Sequence, residues 1–188
     1  MNRPLIGMFA CLALCVSPAM AQRTPVETAR TARALAAFQN ADGGFAAKVG
    51  GPSTLGTTSS VIRSLKNVGG SVPDVFKCID YVKSCYDKET GGFAPTPGGT
   101  PDVHTTAIGL MAVNELKIAD GDTVRKAVAY LVEHAKTFED VRIAVAGLEA
   151  VNAKSPKFPA WIDLVNADRN ADGTWGEGPG KARATGGA

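Results

Sequence analysis

Asp102-Val103-His104 is the most chemically suggestive triplet in the chain, because a carboxylate and an imidazole one residue apart are both legitimate zinc ligands. Arg63 and Arg142 add guanidinium groups suited to an anionic ligand such as a diphosphate. Asp168-Arg169-Asn170-Ala171-Asp172-Gly173 opens like a calcium loop, but the twelfth place falls on Pro179 rather than an acid, and Glu177 comes two places early. Cys78 and Cys85 lie seven apart in a helix-like segment, roughly 10 Å along the axis, too far for a disulfide within one intact helix. Two buried thiols are expected instead. The sequence holds no G-x-S-x-G, P-loop, H-E-x-x-H or Cys-x-x-Cys.

The elements that position these residues repeat. Gly43-Gly44-Phe45 recurs as Gly91-Gly92-Phe93, and the same offset carries Thr57-Thr58 onto Thr105-Thr106. DVHTTAIGLMAVN (102–114) matches DVRIAVAGLEAVN (140–152), and NADGGF (40–45) returns as NADGTW (170–175). Each unit reads as helix, loop, helix. First helices are expected near 26–39, 74–86, 121–135 and 158–167, second helices near 55–68, 103–117 and 140–152, and a further one from about Lys181. Small residues crowd the second helices (Ser59, Ser60, Ala107, Gly109, Ala144, Ala146, Gly147), as close helix approach requires. In the loops, Gly43, Gly44, Gly91, Gly92 and Gly173 end a helix, and Phe45, Phe93 and Trp175 serve as apolar anchors.

Repetition also supplies an ordinary role for the suggestive triplet. Asp102 aligns with Asp140 and Thr54, and all three residue types cap helix N-termini. One mechanism then covers three positions. A zinc site needs at least three protein ligands, and no third is identifiable, since His134, Cys78 and Cys85 fall on first helices.

The chain begins like an exported protein. Arg3 precedes the apolar run Leu5–Val16, and Ala19-Met20-Ala21 has the form of a cleavage site, so residues 1–21 are read as a signal peptide. With 20 basic and 18 acidic residues in the full chain, loss of Arg3 leaves a mature charge near neutral. That balance argues against nucleic-acid and membrane-surface partners.

YVKSCYDKETGGFAPTPGGTPDVHTTAIGLMAVNEL (81–116), with FQNADGGF (38–45) and NADGTWG (170–176), resembles the α/α-toroid family of protein prenyltransferase β-subunits and squalene/hopene cyclases. The resemblance implies an all-α fold over 22–188, an arc of helical hairpins with second helices inside and first helices outside. It implies that Gln39 and Phe45 tie neighbouring units together. It also implies a closed ring of about six or seven hairpins, so the chain is read as a fragment. In prenyltransferases of this family, zinc is held by an Asp-x-Cys at an inner-helix start and by a later His; here Asp102 and His104 stand at that place, with His where Cys would be. Unit three departs from the pattern, joining its helices by EHAKTFEDV without a Gly-Gly-Phe loop.

The expected function is therefore an exported repeat protein whose concave face binds a ligand or partner, through Arg63, His104 and Arg142, with no cofactor. A zinc-dependent prenyltransferase β-like enzyme is the first alternative. A polysaccharide-directed toroid enzyme using Glu115 and Glu149 is the second. A terpene cyclase fits poorly, because the inner helices carry no Phe, Tyr or Trp to stabilise cations and no Asp-x-Asp-Asp run occurs.

Overall fold

The computed structural model describes residues 24–175. The expected signal peptide and the helix expected from Lys181 lie outside them. The described residues form seven helices: α1 (Pro25–Ala36), α2 (Leu55–Asn67), α3 (Val75–Ser84), α4 (Val103–Glu115), α5 (Gly121–His134), α6 (Phe138–Ala150) and α7 (Phe158–Ala167). Pairing by pattern holds: α2, α4 and α6 stack side by side as one layer, and α4 packs most extensively on α6, then α2. The odd-numbered helices pack against this layer from the other side, α5 chiefly on α4.

Helix starts are fixed by side-chain caps. Thr24, Thr54, Asp74, Asp102, Asp120 and Thr137 each accept from a backbone N–H two or three places on, and Thr24 and Thr137 complete capping boxes with Glu27 and Asp140. This corrects one expectation. Asp140 is not the N-cap of α6 but its third residue, reaching back to the Thr137 N–H at 3.0 Å. Helix α6 consequently begins one turn earlier, relative to the 102–114/140–152 match, than α4 does. A helical repeat can slide by a turn and keep its apolar face, so sequence similarity alone did not fix this register.

Helix ends are equally regular. Gly69, Lys117 and Asn152 adopt left-handed φ values of 67°, 59° and 55° just after α2, α4 and α6. The next N–H then bonds back into the last turn: Gly70 to Leu65, Ile118 to Val113 and Ala153 to Leu148. The outer helices α1 and α3 stop short of 39 and 86 because Gln39 and Tyr86 leave the helix to pair with Phe45 and Phe93 in isolated antiparallel bridges.

Close packing of the inner layer depends on absent side chains. A Cβ on Gly109 would lie 2.3 Å from the Phe93 ring, and one on Gly147 would lie 2.7 Å from the Ala107 backbone. Around these contacts the main core gathers Phe93, Ala107, Leu110, Val113, Leu131, Ala144, Leu148 and Trp161. A second cluster holds Phe45, Val61, Ile62, Leu65 and Cys78.

Candidate functional site

The loops repeat one device. Gly43, Gly91 and Gly173 all have φ between 80° and 88°, a region where only glycine is comfortable. The turn delivers Phe45 and Phe93 into the core, 0% and 1% exposed. Their backbone N–H groups donate to Thr58 Oγ1 and Thr106 Oγ1, each at 2.9 Å. Thr58 in turn donates to the Thr54 carbonyl at 2.7 Å, so cap, threonine and aromatic anchor form one unit. Unit three lacks the loop, and Val141 stands at the corresponding place after its cap. Trp175 is half-buried, with the Arg169 guanidinium 5.4 Å from its ring centre.

Gln39 joins units. Its Nε2 donates to the Gly43 carbonyl at 3.0 Å and the Asp74 carbonyl at 2.9 Å, while its Oε1 accepts from the Asp74 N–H at 2.9 Å. One side chain thus holds both its own loop and the start of the next outer helix.

Asp102 is engaged in capping. One carboxylate oxygen accepts from the Thr105 N–H at 2.6 Å and the other from the Thr105 hydroxyl at 2.9 Å. His104 follows in the first turn of α4 and is exposed. Among the described residues no three His, Cys, Asp or Glu side chains gather as a metal site. In the 168–173 loop, Asp172 Oδ1 accepts from the Thr174 N–H at 3.0 Å and its hydroxyl at 2.7 Å, as an Asx turn does. Pro179 and Glu177 lie outside the described residues.

Cys78 and Cys85 are free and buried. Burial pushes both thiols up to about 11, Asp74 adding to the effect at Cys78. The same burial raises the Tyr81 phenol, with Cys85 and Asp42 contributing. These thiols are core side chains rather than nucleophiles.

The inner layer gathers a different set. Arg63 from α2, Met111, Asn114 and Glu115 from α4, and Glu149 from α6 line one hollow of about 390 Å³. Arg63 is exposed and makes no hydrogen bond or ion pair among the described residues. Glu115 is paired with Lys66 at 2.6 Å. The three basic residues expected to act together do not share a level. Arg63 lies in the third turn of α2, whereas His104 and Arg142 lie in the first and second turns of α4 and α6, and Arg142 is paired with Glu139 at 2.8 Å. The hollow brings together Glu115 and Glu149, which occupy unrelated places in the sequence repeat.

Stacked hairpins, Gly-Gly-aromatic locks and the inner layer all describe a toroid repeat, and family comparison agrees. The prenyltransferase alpha-alpha toroid domain matches residues 7–79 and again 70–132. The chain belongs to this family. No curated protein matches the chain. The third inner helix of the toroid, α6, lies beyond both matched segments and still makes the most extensive packing in the structure. None of the described helices is long and apolar enough to cross a membrane.

Proposed function

We propose that the chain is an exported toroid-repeat protein that holds a ligand on the hollow face of its inner helices, with Arg63 as the anchor. The observation that carries this reading is the hollow of about 390 Å³, whose lining joins the unpaired Arg63 to Met111 and Ala146. Glu149 on the same lining disfavours extended polyanions, so the site suits a ligand with one compact anionic head, such as a diphosphate, and an apolar body. Titration of the mature protein with geranyl diphosphate tests this. Saturable heat that is lost in Arg63→Ala supports it, and equal binding by the variant overturns it. Export rests on the leader-like residues 1–21; a purified extracytoplasmic protein starting at Gln22 supports it, and one retaining Met1 removes it.

Two enzymatic readings remain as alternatives. A zinc prenyltransferase would use Asp102 and His104, and transfer of a labelled prenyl group to a cysteine peptide above the His104→Ala level would replace the binding reading with this one. A polysaccharide-directed enzyme is favoured by one observation, the meeting of Glu115 and Glu149 in one hollow. Release of reducing ends from soluble polysaccharide, abolished in Glu149→Gln, would establish it.

A further inference from the structure

Units one and two differ at the residue that leaves each outer helix. Gln39 and Tyr86 are equivalent: each leaves an outer helix and pairs with the anchor phenylalanine of its loop. In unit one the Gln39 amide bridges the gap to the next outer helix by gripping both backbone groups of Asp74, the cap of α3. The matching cap in unit two is Asp120, at the start of α5. A phenol cannot replace an amide as simultaneous donor and acceptor over that span. The Tyr86 ring instead stacks at a tilt on Phe93, with centroids 5.0 Å apart, and its enclosed hydroxyl lies beside the Thr123 side chain.

The gap that Gln39 closes is open here. A cavity of about 420 Å³ lies between the end of α3 and the start of α5, lined by Tyr86, Phe93, Val113 and Ile118, with Lys83, Lys88, Asp120 and Thr123 among its polar residues. Loop spacing gives independent evidence of the opening. A Cβ on Gly43 would lie 2.2 Å from the carbonyl oxygen of Lys77 in α3, whereas one on Gly91 would lie 3.2 Å from that of Lys126 in α5. The second loop stands farther from its neighbour.

We infer that this inter-unit cavity is a binding site for a small monocarboxylic acid with an apolar body. Its volume falls within the range of ligand pockets. Phe93, Val113 and Ile118 offer apolar walls. Asp120 Oδ1 is occupied by the N–H groups of Asp122 and Thr123, at 3.1 and 2.9 Å. Lys83 and Lys88 form no ion pair among the described residues and outnumber the Asp120 carboxylate, so the charged lining residues carry a net positive charge. This site is distinct from the hollow around Arg63, sharing with it only helix α4 and no lining residue.

The test is titration of the mature protein with octanoate and 3-phenylpropionate, followed by NMR. Saturable shifts at Val113 and Ile118 are expected. Tyr86→Gln, which restores the unit-one bridge, is expected to weaken binding at least about tenfold, as is the cavity-filling Ile118→Trp. Lys83→Ala with Lys88→Ala weakens it several-fold, and Lys48→Ala on a distant loop leaves it unchanged. Circular dichroism of each variant distinguishes lost binding from lost fold. Absence of saturable binding, undiminished binding in folded Tyr86→Gln and Ile118→Trp, or octan-1-ol binding as tightly as octanoate each overturns the proposal.

Discussion

Gln39 holds Asp74 from both sides, donating to its carbonyl and accepting from its N–H, each at 2.9 Å. The contact joins residues 35 apart in sequence and couples the first loop to the second unit. Stability of a stacked repeat depends on such interfaces between neighbours as well as on each unit. Gln39→Ala removes both bonds and the one to Gly43, leaving the Asp74 N–H and the Gly43 carbonyl without partners, while the Asp74 carbonyl keeps the Cys78 N–H. The expected loss is about 2–3 kcal/mol, read as a lower urea midpoint. Gln39→Glu keeps an acceptor for the Asp74 N–H but sets a carboxylate against two carbonyls, so it is expected to do no better than alanine.

The glycines of the inner helices separate into two kinds. Gly109→Ala would push a methyl into the Phe93 ring at 2.3 Å, and Gly147→Ala would meet the Ala107 backbone at 2.7 Å. Each is expected to cost on the order of 1–3 kcal/mol, Gly147 more stubbornly because backbone yields less than a ring. A Cβ on Gly56 meets nothing within 4 Å. Gly56→Ala is therefore expected to stabilise by up to about 1 kcal/mol through helix propensity. Thermal unfolding of the three variants checks the ordering, and a destabilised Gly56→Ala contradicts it.

Much of this architecture is legible in the sequence because the chain repeats itself. The Gly-Gly-Phe loops and their threonines recur at one offset since Phe45 and Phe93 bond to Thr58 and Thr106 across identical spans of 13 residues. The α6 register was not legible. DVHTT and DVRIA look equivalent, yet Asp140 serves as third residue of a capping box and Asp102 as the cap itself. A shift of one turn leaves buried positions on the same face, so the pattern cannot distinguish the two. The candidate site was harder still. Arg63, Met111 and Glu149 stand at one place in the sequence repeat but carry unlike side chains, Glu115 stands at another, and only the stacked layer brings them to one hollow. Tyr86 carried no signal in isolation, and its significance appears only beside Gln39.

The buried thiols make the fold sensitive to alkali. Burial pushes the Cys78 and Cys85 thiols up to about 11 in the folded protein, from an ordinary value of 9.0. Between those limits the folded state holds protons that the unfolded chain has released. Stability is therefore full below pH 9 and falls as pH rises toward 11, by on the order of 2 kcal/mol per thiol. Urea midpoints measured across that window should fall, and Cys78→Ala with Cys85→Ala should flatten the slope while lowering stability at neutral pH. In the native protein both thiols should resist iodoacetamide at pH 8 and react on unfolding.

Capping and ligation at Asp102 make opposite demands on the same carboxylate. Both oxygens are engaged by Thr105, one by its N–H at 2.6 Å and one by its hydroxyl at 2.9 Å. Asparagine caps as well as aspartate but is a poor zinc ligand, so Asp102→Asn separates the two roles. It is expected to change stability by only a few tenths of a kcal/mol, whereas Asp102→Ala costs about 1 kcal/mol. His104→Ala, at an exposed position on the first turn of α4, is expected to leave the unfolding midpoint unchanged. Elemental analysis of the purified chain completes the comparison. One zinc per chain, lost in both Asp102→Asn and His104→Ala, would assign Asp102 to the metal and shift the functional reading to the transferase. Zinc well below one per chain, with Asp102→Asn as stable as the parent, leaves Asp102 as the N-cap of the inner helix.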